Sequence, residues 1–186
     1  METLEAIFTR NSVSSVRPDP IPGELVERLL FAAVQAPNHY HVRPWRFVVL
    51  QGAARQRLGD LMADILREAH PEVPPAGLDK ERAKPLRAPL LIAVGVARAD
   101  DPRESPTEDL CAAAAACENL LLAAHALGLA GMWRTGTAAS DPRVKALLGL
   151  DPDQPLIAFL YIGYPNDTLP SRPPRPSFED RVAFMD

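Results

Sequence analysis

An α+β fold is predicted for this chain by three observations. Several windows repeat apolar residues at helical spacing, four short apolar runs read as strands, and no internal repeat or long linker divides the sequence. With 186 residues and 47% apolar content, residues 1–186 form one domain with a full core, or one subunit of an intertwined oligomer.

Leu4 to Phe8 reads as a short helix that ends near Arg10-Asn11-Ser12. Asp19-Pro20-Ile21-Pro22 resists helix until Pro22 takes the first helical position. From Glu24 to Gln35, Leu25, Leu29 and Ala32, with Val26, Leu30 and Ala33 beside them, trace the apolar side of a helix. A Pro-flanked loop, Ala36 to Trp45, carries two His, a Tyr and an Arg into a strand at Arg46 to Leu50. Leu58, Leu61, Met62, Ile65, Leu66 and Ala69 then form the stripe of an amphipathic helix that stops near Pro71. Between Pro71 and Pro89 no periodicity is evident, the pattern of a lid, an excursion or a dimer arm.

Leu90 to Val96 reads as a strand covered on both faces. Thr107 or Asp109 is expected to cap a long helix, apolar nearly all round, that Gly128 and Gly131 end. Met132 to Thr135 reads as a strand. Ser140 as N-cap and Pro142 in the first turn start a short helix through Leu148, and Leu156 to Gly163 is the last strand. The Pro-rich tail from Leu169 to Pro176 is expected to lie extended along another surface.

The formal net charge of −4, without a Lys/Arg block, argues against nucleic acid as a partner. The acidic start, Met1 to Glu5, has no export-signal pattern, so a cytoplasmic protein is expected. Glu118, Asn119 and His125 interrupt the apolar span from Leu110 to Met132, which argues against a membrane segment. Cys111 and Cys117 lie on different faces of one helix, so they neither pair nor match a metal-ligand spacing.

Three clusters carry possible chemistry. Arg10 and Ser12 offer a guanidinium and a hydroxyl suited to phosphate oxygens; the alternative is a helix-terminal Arg beside a turn Ser. His39 and His41, two residues apart in an extended loop, diverge and have no third ligand nearby, so no metal site is expected; the alternative role for both is satisfying backbone groups. Arg43-Pro44-Trp45 presents a fixed cation to a planar anionic ring. Gly128 to Gly136 surrounds Trp133, Arg134 and Thr135 with glycines that let a flat ligand approach, but it follows a helix and opens a strand, the reverse of a dinucleotide fingerprint.

In order along the chain, Arg10-Asn11-Ser12, Asp19 to Pro22, Ala36-Pro37 through Pro44-Trp45-Arg46-Phe47, Leu86 to Leu90, Trp133 to Gly136 and Gly163-Tyr164-Pro165 resemble the nitroreductase family of FMN-dependent oxidoreductases, in its small single-domain branch. The resemblance implies a mixed, mostly antiparallel sheet flanked by helices, in an intertwined homodimer with FMN at the interface. It implies that Arg10, Asn11 and Ser12 hold the phosphate and ribityl chain, that His39 and Arg43 contact the flavin from the loop, and that Trp133, Arg134 and Thr135 form a second contact. Arg175 is the candidate tail residue near the phosphate, and Ala123 to Gly128 falls where relatives receive the nicotinamide.

The implied activity is FMN-dependent transfer of hydride from NADH or NADPH, in ping-pong fashion, to a small nitroaromatic or quinone-like substrate. No side chain acts as nucleophile, because the flavin carries the chemistry. Two alternatives share the scaffold: a flavin-binding, storage or sensing protein with little turnover, and a reductive dehalogenase or flavin-consuming enzyme. Three departures from the family pattern stand out. Asn11 replaces a second Arg, Arg43 replaces Gln and is expected to raise the flavin potential, and Tyr40 with His41 is expected to narrow the opening.

Overall fold

The computed structural model describes residues 1–97, 105–166, 175 and 177–185. Its elements run α1 Thr3–Thr9, α2 Gly23–Ala33, β1 Trp45–Leu50, α3 Ala53–Ala69, α4 Pro75–Arg82, β2 Leu90–Val96, α5 Pro106–Ala126, β3 Ala130–Arg134, α6 Pro142–Leu147 and β4 Leu156–Gly163.

The four strands form one sheet in the order β1-β2-β4-β3, with every neighbouring pair antiparallel. Its mixed character comes from a parallel bridge between Ser12 and Gly131 outside the named strands. Alternation along β2 sorts the core into two layers. Leu90, Ile92, Val94 and Val96 meet α2 and α5, while Leu91 and Ala93 meet α3 and α6. Ile157 is the extra residue of a bulge, since Val94 pairs with Ala158 but Gly95 with Leu156. The bulge flips the alternation, so Leu156 faces the α3 layer while Ala158, Leu160 and Ile162 face α5.

The long helix lies at the centre of one layer because its inner face is mostly small. Ala112, Ala113, Ala116, Cys117 and Ala124 are buried and let α5 approach the sheet closely. Gly128, at φ 77°, ends it: no Cβ opposes the left-handed turn. Gly131 belongs instead to β3, where a Cβ would lie 2.9 Å from side-chain atoms of Ile162 and Leu121.

Several expected boundaries move. Ser105, rather than Thr107 or Asp109, caps α5: Pro106 takes the first helical position and the Ser105 hydroxyl accepts from the Glu108 amide. Asp141, rather than Ser140, caps α6 by accepting from the Arg143 amide at 2.8 Å, while Ser140 closes a preceding 3₁₀ turn. The α2 helix ends at Ala33, two residues before Gln35.

The stretch between Pro71 and Pro89 holds α4 and a 3₁₀ turn over Lys84–Arg87. Its helix escapes periodicity because it buries no residue fully. It docks by its end instead. Gly59 of α3 sits so close to α4 that an added Cβ would stand 2.2 Å from the Arg82 carbonyl oxygen, and Arg82 pairs with Asp60 at 3.0 Å. Among the described residues no helix is long and apolar enough to cross a membrane. The Leu169 to Pro176 tail expectation falls outside the described residues except for Arg175.

Candidate functional site

Residues 10–17 run along the outer side of β3 and the end of β4. The Val13 amide donates to the Gly131 carbonyl at 3.1 Å, and the Arg17 amide to the Tyr164 carbonyl at 2.8 Å. This places Arg10, Asn11 and Ser12 beside the start of β3. The Arg10 side chain is only 16% exposed and its Nε donates to Glu118 of α5 at 3.1 Å. Arg175 reaches the same place, donating to the Arg10 carbonyl at 3.4 Å. Arg10 and Arg175 thus meet two residues before Ser12 in the chain, the one through its carbonyl and the other through its guanidinium. Arg10 and Asn11 line a cavity of about 400 Å³ with Thr9, Leu121, His125 and Gly131. That cavity includes His125 and Gly128 of the stretch expected to receive a nicotinamide.

At the other end of β3 the triplet splits by face. Trp133 turns to the α5 layer, and its indole N–H donates at 3.1 Å to the carbonyl of Ile157, the bulged residue left without a strand partner. The indole thus holds the bulge. Arg134 turns to the opposite layer, with its guanidinium carbon 6.0 Å from the centre of the Tyr161 ring. Arg134 and Thr135 line a second cavity, of about 260 Å³, together with Lys84, Arg87, Glu81 and Tyr161. Burial pushes the Tyr161 phenol up, partly offset by Arg134 and Arg87, so it stays protonated near neutral pH.

Sequence reasoning missed Glu81, Lys84, Arg87 and Tyr161. The available signal was the spacing of Lys84 and Arg87, since residues three apart eclipse on a 3₁₀ turn.

His39 and Arg43 lie elsewhere. Their loop precedes β1, at the opposite edge of the sheet from β3. Its backbone is strained: Tyr40, His41 and Arg43 have φ of 45°, 56° and 52°. Each departure costs about 1–3 kcal/mol, and such residues cluster at ligand sites. Asn38 holds the loop by accepting from the Arg43 amide at 2.9 Å. His39 pairs through Nδ1 with Glu108 of α5, and Tyr40 stacks on its ring with centroids 4.2 Å apart. Arg43 and His41 are exposed. His39 lines an open cavity of about 480 Å³ with Glu108 and Cys111.

The expected site residues thus form two groups. Glu108, which pairs with His39, and Glu118, which pairs with Arg10, are ten residues apart on α5, ~15 Å along its axis. The Arg10 cluster and the Arg134 cavity lie toward opposite ends of β3 and on opposite layers, and the His39 loop stands apart from both.

The model of the nitroreductase family matches residues 7–164. The chain belongs to the nitroreductase family. It is 32% identical over 166 residues to the Escherichia coli K12 protein named "Putative NAD(P)H nitroreductase YdjA", covering 89% of each chain. A nitroreductase-like family protein from Bacillus cereus superposes with a TM-score of 0.81 at 27% identity, over 100% of this chain and 96% of that one. A protein from Desulfovibrio desulfuricans, described as a putative nitroreductase in complex with FMN, superposes with a TM-score of 0.75 at 27% identity, over 100% of this chain and 98% of that one.

Proposed function

We propose that this nitroreductase binds FMN between two copies of the chain and uses NADH or NADPH to reduce a small nitroaromatic or quinone-like substrate. The observation that carries this reading is a pair of polar clusters toward the two ends of the edge strand β3. At one end Arg175 donates to the Arg10 carbonyl, two residues before Ser12, and at the other Arg134 and Thr135 line a separate cavity. Ser12 pairs with Gly131, so Arg134 lies three residues further along β3, ~10 Å at roughly 3.3 Å per residue. The two clusters face opposite layers of the sheet, so a ligand with a phosphate at one end and a planar ring at the other would join them around the β3 edge.

The residues present fit FMN. Arg10 and Arg175 supply charge-assisted donors for a phosphate, with Asn11 and Ser12 beside them. Arg134, Thr135 and Lys84 supply cationic and hydroxyl donors at the ring end. Bound FMN would supply hydride acceptance from the nicotinamide and its delivery to a second substrate. The protein's own part is to position, to exclude water and to place charge. His39, exposed on its loop and paired through Nδ1 with Glu108, is the side chain proposed as proton donor.

His39 and Arg43 fit this reading as contributions from the second copy, because within one chain they stand at the far sheet edge. Leu4 and Phe8 on α1 and Phe31 on α2 are 65%, 63% and 68% exposed, an apolar surface suited to a second copy. Exchange of NADH or NADPH for the second substrate over one open face gives ping-pong turnover.

The test is to supplement the purified protein with FMN, desalt it, and mix it anaerobically with NADH or NADPH in a stopped-flow instrument. Retention of one yellow chromophore per chain, bleaching by nicotinamide and return of colour with a quinone or nitroarene are expected. Loss of all colour on desalting refutes the cofactor, and retained colour without bleaching by either nucleotide replaces the enzyme with a flavin-retaining binder.

A further inference from the structure

We propose that the cavity between the Val16-Arg17-Pro18 segment and the turn from Leu86 to Pro89 is a binding site for a small monocarboxylate with a short apolar body. This site adjoins the Arg134 cavity, with which it shares Arg87, but does not rest on the flavin reading.

The cavity measures about 280 Å³ and is lined by Arg55 and Arg87 against Val16, Pro18, Leu86 and Pro89, with Ala88 completing it. Two guanidiniums share this space, and no carboxylate lines it. Arg55, near the start of α3, donates through Nη1 to the Ala88 carbonyl. Its Nε is buried and has no acceptor. A buried N–H without a partner is costly, so the remaining donors of Arg55 favour an incoming oxygen. Among the described residues Arg87 has no hydrogen-bond or ion-pair partner.

The third guanidinium of the neighbourhood shows the contrast. Arg17 is already engaged, 3.5 Å from Asp19 and 5.3 Å from the centre of the Tyr164 ring. Guanidinium forks match a carboxylate in plane and in charge. The walls of two prolines, a leucine and a valine receive a few apolar carbons, and the small volume excludes a nucleotide-sized ligand.

The probe is 4,4,4-trifluorobutanoate, followed by fluorine NMR on the full chain with and without added FMN. It is aliphatic, so it does not mimic a ring stacked on a flavin. Saturable line broadening is expected in both preparations. Arg87→Gln and Arg55→Gln should each weaken binding about tenfold or more, by removing a charge-assisted contact. Arg134→Gln, which alters only the neighbouring cavity, should leave binding within about twofold. Arg87 is exposed, so its variant keeps the test decisive even if Arg55→Gln fails to fold. Absence of broadening overturns the proposal, as does equal binding of 4,4,4-trifluorobutanamide, or loss with Arg134→Gln, since Arg87 lines both cavities but Arg134 only the other.

Discussion

Replacing Gly59 by Ala should destabilise the protein although it sits inside a helix. At an unobstructed position the change would stabilise by about 1 kcal/mol, because glycine is the poorer helix former. Here the added Cβ would stand 2.2 Å from the Arg82 oxygen and 3.1 Å from its carbonyl carbon. Contacts below 3.0 Å essentially never occur, so α3 and α4 must separate by at least 0.8 Å, the difference between the two distances. The obstacle is backbone, which cannot rotate away as a side-chain tip would. Overpacking of this kind costs about 1–3 kcal/mol. The net is a loss centred on about 1 kcal/mol, or about 2–4 °C in Tm for a chain of this size. Urea unfolding at fixed protein concentration reads it as a lower midpoint with an unchanged slope. A midpoint equal to or above that of the parent would refute the packing argument.

Asp141→Ala should cost about 1 kcal/mol by removing the α6 cap, measured by the same unfolding series. Its hydrogen bonds to Arg143 hold the Asp141 carboxyl below the usual carboxylate range. The stabilisation is therefore full above that range and lost as pH falls through the lowered value, so the gap between parent and Asp141→Asn should narrow on acidification. Burial pushes the Cys117 thiol up to about 12, with Glu118 adding to it, so Cys117 should resist alkylation at pH 8 until the chain is unfolded; labelling in the native state would contradict the packing of α5. Arg43→Gln should lower the potential of retained flavin and slow its bleaching by nicotinamide, with little change in Tm. Equal potentials in the two proteins would place Arg43 away from the ring.

Strands were legible because each is a short run with Gly or Pro close to one or both of its ends, and β2 and β4 follow the sequence pattern to the residue. Helix starts were less so. Ser105 and Asp141 act as caps because a proline follows each, and the proline, not the polar residue alone, marks the boundary. Nothing local announces α4, whose hold is the missing Cβ of a glycine some twenty residues earlier in the chain. Of the candidate site, the residues of the motifs were visible in order. Their separation into two groups was not, because it follows from the strand order that puts β1 and β3 on opposite edges. Lys84, Arg87 and Tyr161 were invisible as a cluster because a turn, a strand and a strand end meet there only in the folded chain.

The opposite-edge placement has a genetic corollary. If each proposed flavin position draws Arg10 and Arg134 from one chain and His39 and Arg43 from the other, a copy damaged in the first pair and a copy damaged in the second are each inert alone. Mixed together, half of their pairings would gather all the damage into one position and leave the other whole. Two dead chains would then yield a working one, and recovered turnover after mixing would count how many subunits build a site.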